Sequence, residues 1–150
     1  MLGNHHYKPY FKERIIMMIA KVHTRLLVQQ LRECLHFYTE ILGLELLFCN
    51  QDNTYAILTA GSESIALLDR TLAAGTAGCS HLPATVHCQD RVSLVFEVDD
   101  VDAVHLDLTI RGITFINKPC DRPEWSTRSC LLRDPDGTLI ELYSPLDKKE

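Results

Sequence analysis

The chain has 150 residues, a length that suits one domain or two small halves that share one core. Hydrophobic residues make up 46% of it, and there are only 7 glycines and 6 prolines, so a globally disordered chain is excluded. The net charge is −5 without a basic patch, which argues against nucleic-acid binding, and no apolar run approaches the roughly 20 residues that span a membrane.

Residues 1–20 match no later part of the chain, and we expect them to form an N-terminal tail or extension. The apolar stretch from Ile15 to Ala20 is too short for the core of a signal peptide. His5 and His6 lie in this tail and are expected to face solvent rather than bind a metal.

The first half of the chain, about residues 21–70, predicts strands on either side of a single helix. "LLV" from Leu26 predicts a short strand, and the apolar residues that follow recur at helical spacing: Leu31, Leu35, Tyr38 and Leu42. Gly43 is predicted to end the helix. A further strand follows, and "TYAILTAGSESIALL" from Thr54 then predicts strand, turn and strand. The order is therefore β-α-β-β-β.

The second half, about residues 92–147, repeats this order after a predicted linker at residues 71–91, which is rich in small residues. "VFEVDDVDAVHLDLTIRGITFI" predicts a strand, a helix that Asp99 or Asp100 caps, and a strand after Gly112. "SCLLRDPDGTLIELY" predicts two strands joined by the turn at residues 134–137. We expect residues 21–147 to form a single domain.

The 6 cysteines could suggest three disulfides, but no CxxC occurs and Cys34 and Cys130 lie within helical and strand patterns. This distribution favours free thiols in a reducing compartment. We therefore expect a cytoplasmic protein whose Cys34 and Cys130 are small core residues.

Three segments resemble the motifs of the vicinal oxygen chelate superfamily: "HTRLLVQQLRECLHFYTEILGLEL", "FEVDDVDAVHLDL" and "DPDGTLIELYSP". This superfamily includes glyoxalase I, extradiol dioxygenases, fosfomycin resistance enzymes and bleomycin resistance proteins. The resemblance extends from Val22 to Pro145. It implies an α+β fold in which two β-α-β-β-β modules form an open, curved sheet that encloses a cavity. It also implies a homodimer, because relatives commonly pair modules within or between chains.

The resemblance further implies four metal-ligand positions, on the first and last strands of each module. His23 and Glu141 match two of them, whereas Ala66 and Ser93 stand at the other two. His and carboxylate ligands suit Ni, Zn, Mn or Fe, but a catalytic metal normally keeps at least three protein ligands. The sequence therefore leaves two interpretations open, a divalent metal with a third ligand from elsewhere and a metal-free site.

Strand alternation predicts which other side chains share the cavity with His23 and Glu141. It adds Arg25, Ser93, Glu97 and Tyr143 to the predicted ligand-binding residues, and the resemblance adds Trp125 and Arg128. Arg25 is expected either to neutralise Glu141 or to bind an anionic ligand. Trp125 and Arg128 are expected at the cavity mouth; the alternative is that Trp125 packs under its loop and Arg128 pairs with Asp121 or Glu124.

Two functions follow from these alternatives. The first is a metal-dependent lyase or isomerase, or less readily a dioxygenase, in which the metal acts as a Lewis acid and Glu141 or Glu97 transfers a proton. The second is a metal-free protein of the bleomycin-resistance type that binds or sequesters a small molecule. Both predict a small-molecule ligand and neither identifies it.

Overall fold

A computed structural model describes residues 23–83, 90 and 92–146. The expectations for the N-terminal tail, including those for His5 and His6, lie outside these residues. The first module contains β1 (Thr24–Val28), α1 (Leu31–His36), a π-helical turn (Phe37–Ile41), β2 (Glu45–Cys49), β3 (Tyr55–Ala60) and β4 (Glu63–Asp69). Next come α2 (Arg70–Thr76), β5 (Ser93–Glu97), α3 (Val101–Ile110), β6 (Cys120–Arg122), a 3-10 turn (Pro123–Trp125), β7 (Thr127–Arg133) and β8 (Leu139–Pro145).

The strands form two mixed four-stranded sheets of the same topology, ordered β1-β4-β3-β2 and β5-β8-β7-β6. In each sheet the first strand of the module pairs in parallel with the last, and the other pairs are antiparallel. Both sheets are open rather than closed into a barrel. The predicted α+β fold of two repeated modules is therefore confirmed.

The helices begin and end where the local sequence predicts. The carboxylate of Asp100 caps α3 by accepting hydrogen bonds from the backbone N–H groups of Asp102 (3.0 Å) and Ala103 (3.1 Å). Gly43 and Gly112 follow the two helical segments with φ values of 78° and 90°, a conformation that glycine adopts without a steric cost.

One hydrophobic core joins the two modules. Its buried members include Leu31, Cys34 and Tyr38 of the first helical segment together with Val101 and Leu108 of α3. Strand residues complete it: Leu26, Val28, Leu58, Leu67, Cys130, Leu132, Ile140 and Leu142. No helix among the described residues is long and apolar enough to cross a membrane.

The turn between β7 and β8 also links the modules. Oδ2 of Asp134 accepts a 2.8 Å hydrogen bond from the hydroxyl of Tyr38, on the first module. Asp136 accepts hydrogen bonds from the backbone N–H of Gln29 (2.7 Å) and from Nη2 of Arg70 (2.6 Å). The sequence predicted a turn here, and the structure adds that its two carboxylates join the halves of the molecule.

Two segments differ from the sequence-based expectation. The predicted linker begins with α2, whose N-terminus Asp69 caps by accepting a hydrogen bond from the N–H of Thr71 (2.8 Å). The strand predicted directly after Gly112 is reduced to one bridge between Phe115 and Leu132, and the edge strand is β6. Close to this bridge the side chain of Asn117 accepts the N–H of Leu131 (2.8 Å), which takes the place of a backbone ladder bond.

Candidate functional site

Each sheet has one face covered by the helices and one face that we call the open face. Side chains alternate between the two along a strand. In β1, Leu26 and Val28 are buried in the core, so Arg25 lies on the open face. In β8, Ile140 and Leu142 are buried, so Glu141 and Tyr143 lie on the open face of the second sheet.

The open face of the second sheet brings together four predicted site residues. Glu97 and Tyr143 are register partners on β5 and β8, and the Tyr143 hydroxyl donates a 2.7 Å hydrogen bond to Oε2 of Glu97. This hydrogen bond raises the pKa of the Tyr143 hydroxyl because the neutral form is the donor. Ser93 lies on the same strand face as Glu97, at the beginning of β5.

Glu141 lies in the middle of this open face. Its register partners are Val95 on β5 and Leu131 on β7, and it is half-buried between them. Within residues 23–83, 90 and 92–146 its carboxylate accepts no hydrogen bond and pairs with no cation. The second sheet thus presents one carboxylate available to a ligand beside one Tyr–Glu pair.

The open face of the first sheet carries a cation lying over an aromatic ring. The guanidinium carbon of Arg25 is 5.6 Å from the centroid of the Tyr55 ring, within the range of a cation–π interaction. Arg25 is on β1 and Tyr55 is on β3, so the contact spans β4, where the register partner of Arg25 is Ala66 and that of Tyr55 is Leu68. The contact therefore runs diagonally between two neighbouring rows of the sheet.

Arg25 therefore does not neutralise Glu141, as one interpretation of the sequence expected. The two residues lie on different sheets, and among the described residues Arg25 forms no ion pair with a carboxylate. The cation–π contact with Tyr55 keeps the guanidinium over the first sheet. Its charge remains available to a ligand.

Arg128 lies on the opposite side of the second sheet from Glu141. It shares the helical face of β7 with buried Cys130, and its guanidinium binds Asp102 of α3 (2.6 and 2.9 Å) and Asp121 (2.9 Å). The expected pairing with Asp121 is thus confirmed, and the structure places Arg128 away from the open face. Its hydrogen bonds to both carboxylates raise the pKa of the guanidinium.

Trp125 and His23 are both exposed. The Trp125 side chain is 65% exposed in the 3-10 turn, so it does not pack under its loop. His23 directly precedes β1 and is exposed to solvent. Both are accessible to a ligand, but among the described residues neither makes a side-chain hydrogen bond that holds it in one position.

The two sheets meet at a small cavity of about 370 Å³. It is lined by Glu63, Ser64 and Ile65 at the beginning of β4 and by residues 94–97 of β5, which include Glu97. A cavity of about 520 Å³ lies between residues 41–44 and α3 on the helical side, and Glu97 also borders it. Glu97 therefore stands where the open face reaches the junction of the modules.

The described side chains do not fit a resident divalent metal ion. No group of three or more His, Cys, Asp or Glu residues within the described ranges has an arrangement that could hold one. His23 precedes β1 of the first sheet, Glu141 lies on β8 of the second, and the side chain of Ala66 has no donor atom. The register partner of Ala66 on β1 is instead the cationic residue Arg25.

Two residues of this surface, Tyr55 and Phe48, were not predicted as site residues. Their ring centroids are 6.2 Å apart on β3 and β2. One sequence signal could have identified Tyr55: it alternates along β3 with Ala56 and Leu58, which are fully buried in the core. This alternation places Tyr55 on the open face, but the contact with Arg25 depends on the order of the strands.

The model of the Glyoxalase/Bleomycin resistance protein/Dioxygenase superfamily matches residues 21–142, and the chain belongs to this superfamily. It is 38% identical over 122 residues to the uncharacterized protein YraH of Bacillus subtilis (strain 168), covering 81% of this chain and 95% of that protein. It is 30% identical over 126 residues to a probable lactoylglutathione lyase of Vibrio cholerae, covering 81% and 87%. The crystal structure of a glyoxalase/bleomycin resistance protein/dioxygenase from Nocardioides has a TM-score of 0.69 at 25% identity and covers 90% of each chain. The resemblance seen in the sequence is confirmed.

Proposed function

We propose that this member of the superfamily binds a small organic molecule on the open faces of its two sheets without a resident metal ion. One observation carries the proposal: the guanidinium of Arg25, the register partner of Ala66, lies over the Tyr55 ring on the same open face. By resemblance, Ala66 stands where a metal-using member has a ligand. In this chain a cationic side chain is the register neighbour of that position.

Electrostatics supports the metal-free alternative. A guanidinium is always charged at physiological pH, and a divalent cation close to it is repelled unless a carboxylate lies between them. Arg25 has no such carboxylate among the described residues. The same charge attracts an anionic group of a ligand.

The remaining polar groups suit recognition by a binding protein. Small-molecule sites combine mostly apolar walls with a few polar groups that orient the ligand. Val95 and Leu131 supply apolar surface beside Glu141, and the Glu97–Tyr143 pair and Ser93 supply acceptors and a hydroxyl. We propose that Glu141 and Glu97 orient donor groups of the ligand, and that a homodimer encloses it.

A metal-dependent lyase or isomerase is the second candidate. It is favoured by the carboxylate of Glu141, which lies half-buried on the open face without a described partner, and by the name of the Vibrio cholerae relative. His23 and Glu141 would be two of the ligands, and a third would have to come from a second copy of the chain. A metal bound there would polarise oxygen atoms of a substrate.

Two measurements on tag-free protein distinguish the candidates. The first is metal content by plasma mass spectrometry after loading with Ni, Zn, Mn or Fe, with His23→Ala and Glu141→Ala as controls. The second is ligand-observed NMR screening of a fragment library in EDTA. We expect metal far below one ion per chain and fragments that bind in EDTA. Near-stoichiometric metal that both substitutions abolish, or the absence of any binder in EDTA, would overturn the proposal.

A further inference from the structure

The first open face has an ordered arrangement of charge and aromatic surface. One row of register partners crosses the sheet as Arg25, Ala66, Ile57 and Phe48. Neighbouring strands are about 4.8 Å apart, so this row spans roughly 14 Å from β1 to β2. The next row carries Leu27, Leu68 and Tyr55. A cation thus stands at one end of an apolar row, and aromatic rings stand toward the other end.

The carboxylate of Glu45 on this face lies far from Arg25. Glu45 is the register partner of Thr59, which alternates with buried Leu58, so Glu45 is on the open face of β2. It is separated from β1 by two intervening strands. An anionic ligand group at Arg25 would therefore meet a net positive site.

The contact with Tyr55 prepares Arg25 for bidentate binding. A guanidinium that stacks on a ring keeps its N–H edge free for a carboxylate, and stacking reduces the rotamer freedom that binding must remove. Apolar Ala66 and Ile57 lie next to it, with Phe48 at the end of the row. Such a surface suits a flat ring better than a flexible polar chain, because aromatic pairs gain contact in stacked or edge arrangements.

Resting on the proposed function, we infer that the ligand is an aromatic carboxylate. Its carboxylate binds the guanidinium of Arg25, and its ring packs farther along the row against Ile57 and Phe48, beside Tyr55. Arg25 is the one lysine or arginine on the four described strands of this sheet. A carboxylate therefore fits better than a phosphate, because a single guanidinium neutralises one negative charge rather than two.

Calorimetric titration of the full-length protein in EDTA tests this inference. The probes are benzoate, 2-naphthoate, the neutral analogue benzamide, acetate, which lacks a ring, and phenyl phosphate. We expect benzoate and 2-naphthoate to bind at least about 10-fold more tightly than benzamide and acetate, because a charge-assisted pair and the ring contact both contribute. We also expect both carboxylates to bind more tightly than phenyl phosphate.

Variants identify the site. Arg25→Gln should weaken benzoate binding at least about 10-fold and leave benzamide unchanged, while Arg25→Lys keeps the charge without the bidentate edge and should lie between. Phe48→Ala should weaken benzoate and benzamide alike. Arg32→Gln is the matched control, because Arg32 is an exposed arginine on α1 at the other side of the molecule. It should leave every affinity unchanged.

The outcomes separate this inference from the proposed function. Benzoate binding that is no tighter than benzamide binding, or that survives Arg25→Gln, overturns the aromatic-carboxylate inference. Tighter binding of phenyl phosphate than of benzoate overturns the choice of carboxylate. In either case, fragments that bind in EDTA would leave the proposed function standing. If no fragment binds in EDTA, both fail together.

Discussion

The hydroxyl of Tyr38 donates a 2.8 Å hydrogen bond to Oδ2 of Asp134, and both residues are buried. Tyr38 belongs to the helical segment of the first module, and Asp134 belongs to the turn between β7 and β8 of the second. The other carboxylate oxygen of Asp134 accepts the N–H groups of Asp136 and Thr138, both at 2.8 Å. One carboxylate thus shapes its own turn and connects it to the other module.

Tyr38→Phe removes the phenol oxygen and leaves a buried carboxylate oxygen without its donor. A hydrogen bond to a charged group contributes about 1.5–3 kcal/mol, so we expect the free energy of unfolding to fall by about that amount. Urea denaturation followed by circular dichroism measures it. Tyr143→Phe is the matched control, because it removes an exposed Tyr–Glu hydrogen bond, and it should cause no resolvable change. Equal effects of the two substitutions would contradict the proposed importance of burial.

Asp136→Ala should lower the free energy of unfolding by about 2–4 kcal/mol, since it leaves the backbone N–H groups of Gln29 and Gln30 without their side-chain acceptor and removes one partner of the partly buried Arg70 guanidinium. The Asp136 side chain is 5% exposed and its partner Arg70 is 31% exposed. Asp90→Asn provides the comparison, because Asp90 pairs with Arg133 at an exposed site. We expect no resolvable effect from Asp90→Asn in the same denaturation assay. A small effect of Asp136→Ala would mean that the modules hold together without this contact.

Alkaline pH should destabilise the protein. Burial, with a smaller contribution from Asp134, raises the pKa of Cys34 from 9.0 to about 12, and burial raises the pKa of Cys130 from 9.0 to about 11. Between pH 9 and 12 the unfolded chain therefore releases protons that the folded chain retains, so stability is complete below about pH 9 and decreases above it. Urea midpoints at pH 7.5, 9.5 and 10.5 test this. Replacing Cys34 and Cys130 by alanine should flatten the decrease, and an unchanged slope would refute the assignment.

Thiol labelling should divide the cysteines by burial. Cys34 and Cys130 are fully buried, whereas Cys49, Cys79 and Cys120 are partly exposed. At pH 8 we expect iodoacetamide to modify the partly exposed group at least about 10-fold faster, because alkylation needs an accessible thiolate. Peptide mass spectrometry measures the rates, and labelling in urea should make them similar. Rapid labelling of Cys34 in the folded protein would show that the core opens locally.

Ala66→Glu tests whether the anionic group of the ligand binds at Arg25. A carboxylate at the register partner of Arg25 would pair with the guanidinium and compete with an anionic ligand, so we expect benzoate affinity to fall at least about 10-fold. Ala66→Ser is the control, because it adds a small uncharged group at the same position. Calorimetry in EDTA measures both variants. Retained benzoate affinity in Ala66→Glu would place the anion elsewhere.

Much of the fold could be predicted because its signals are local. The repeated β-α-β-β-β order, the cap at Asp100 and the helix ends at Gly43 and Gly112 all come from residue spacing and backbone preference. The strand predicted directly after Gly112 was wrong, because the side chain of Asn117 replaces a ladder bond and pairing resumes only at Cys120. That bond joins residues 14 positions apart, which periodicity cannot indicate.

The candidate site could be predicted only in part. Alternation along β5 and β8 places Glu97, Glu141 and Tyr143 on one face, and the structure shows them there with Glu97 and Tyr143 in contact. Alternation along the strands did not predict that Arg128 lies on the helical face of the sheet, where it binds Asp102 of α3. Such a pairing depends on how a helix packs against a sheet.

By itself, the sequence determined that this chain is a two-module α+β protein of its superfamily, and the resemblance implied that alanine and serine stand at two of the four metal-ligand positions. Only the tertiary structure decided what the charged side chains contact. Arg25 reaches Tyr55 because β1 and β3 lie on either side of β4 in the first sheet, and Tyr38 reaches Asp134 because both modules share one core. Strand order and core packing are set by contacts between residues distant in sequence, so these partners emerge only when the chain is folded.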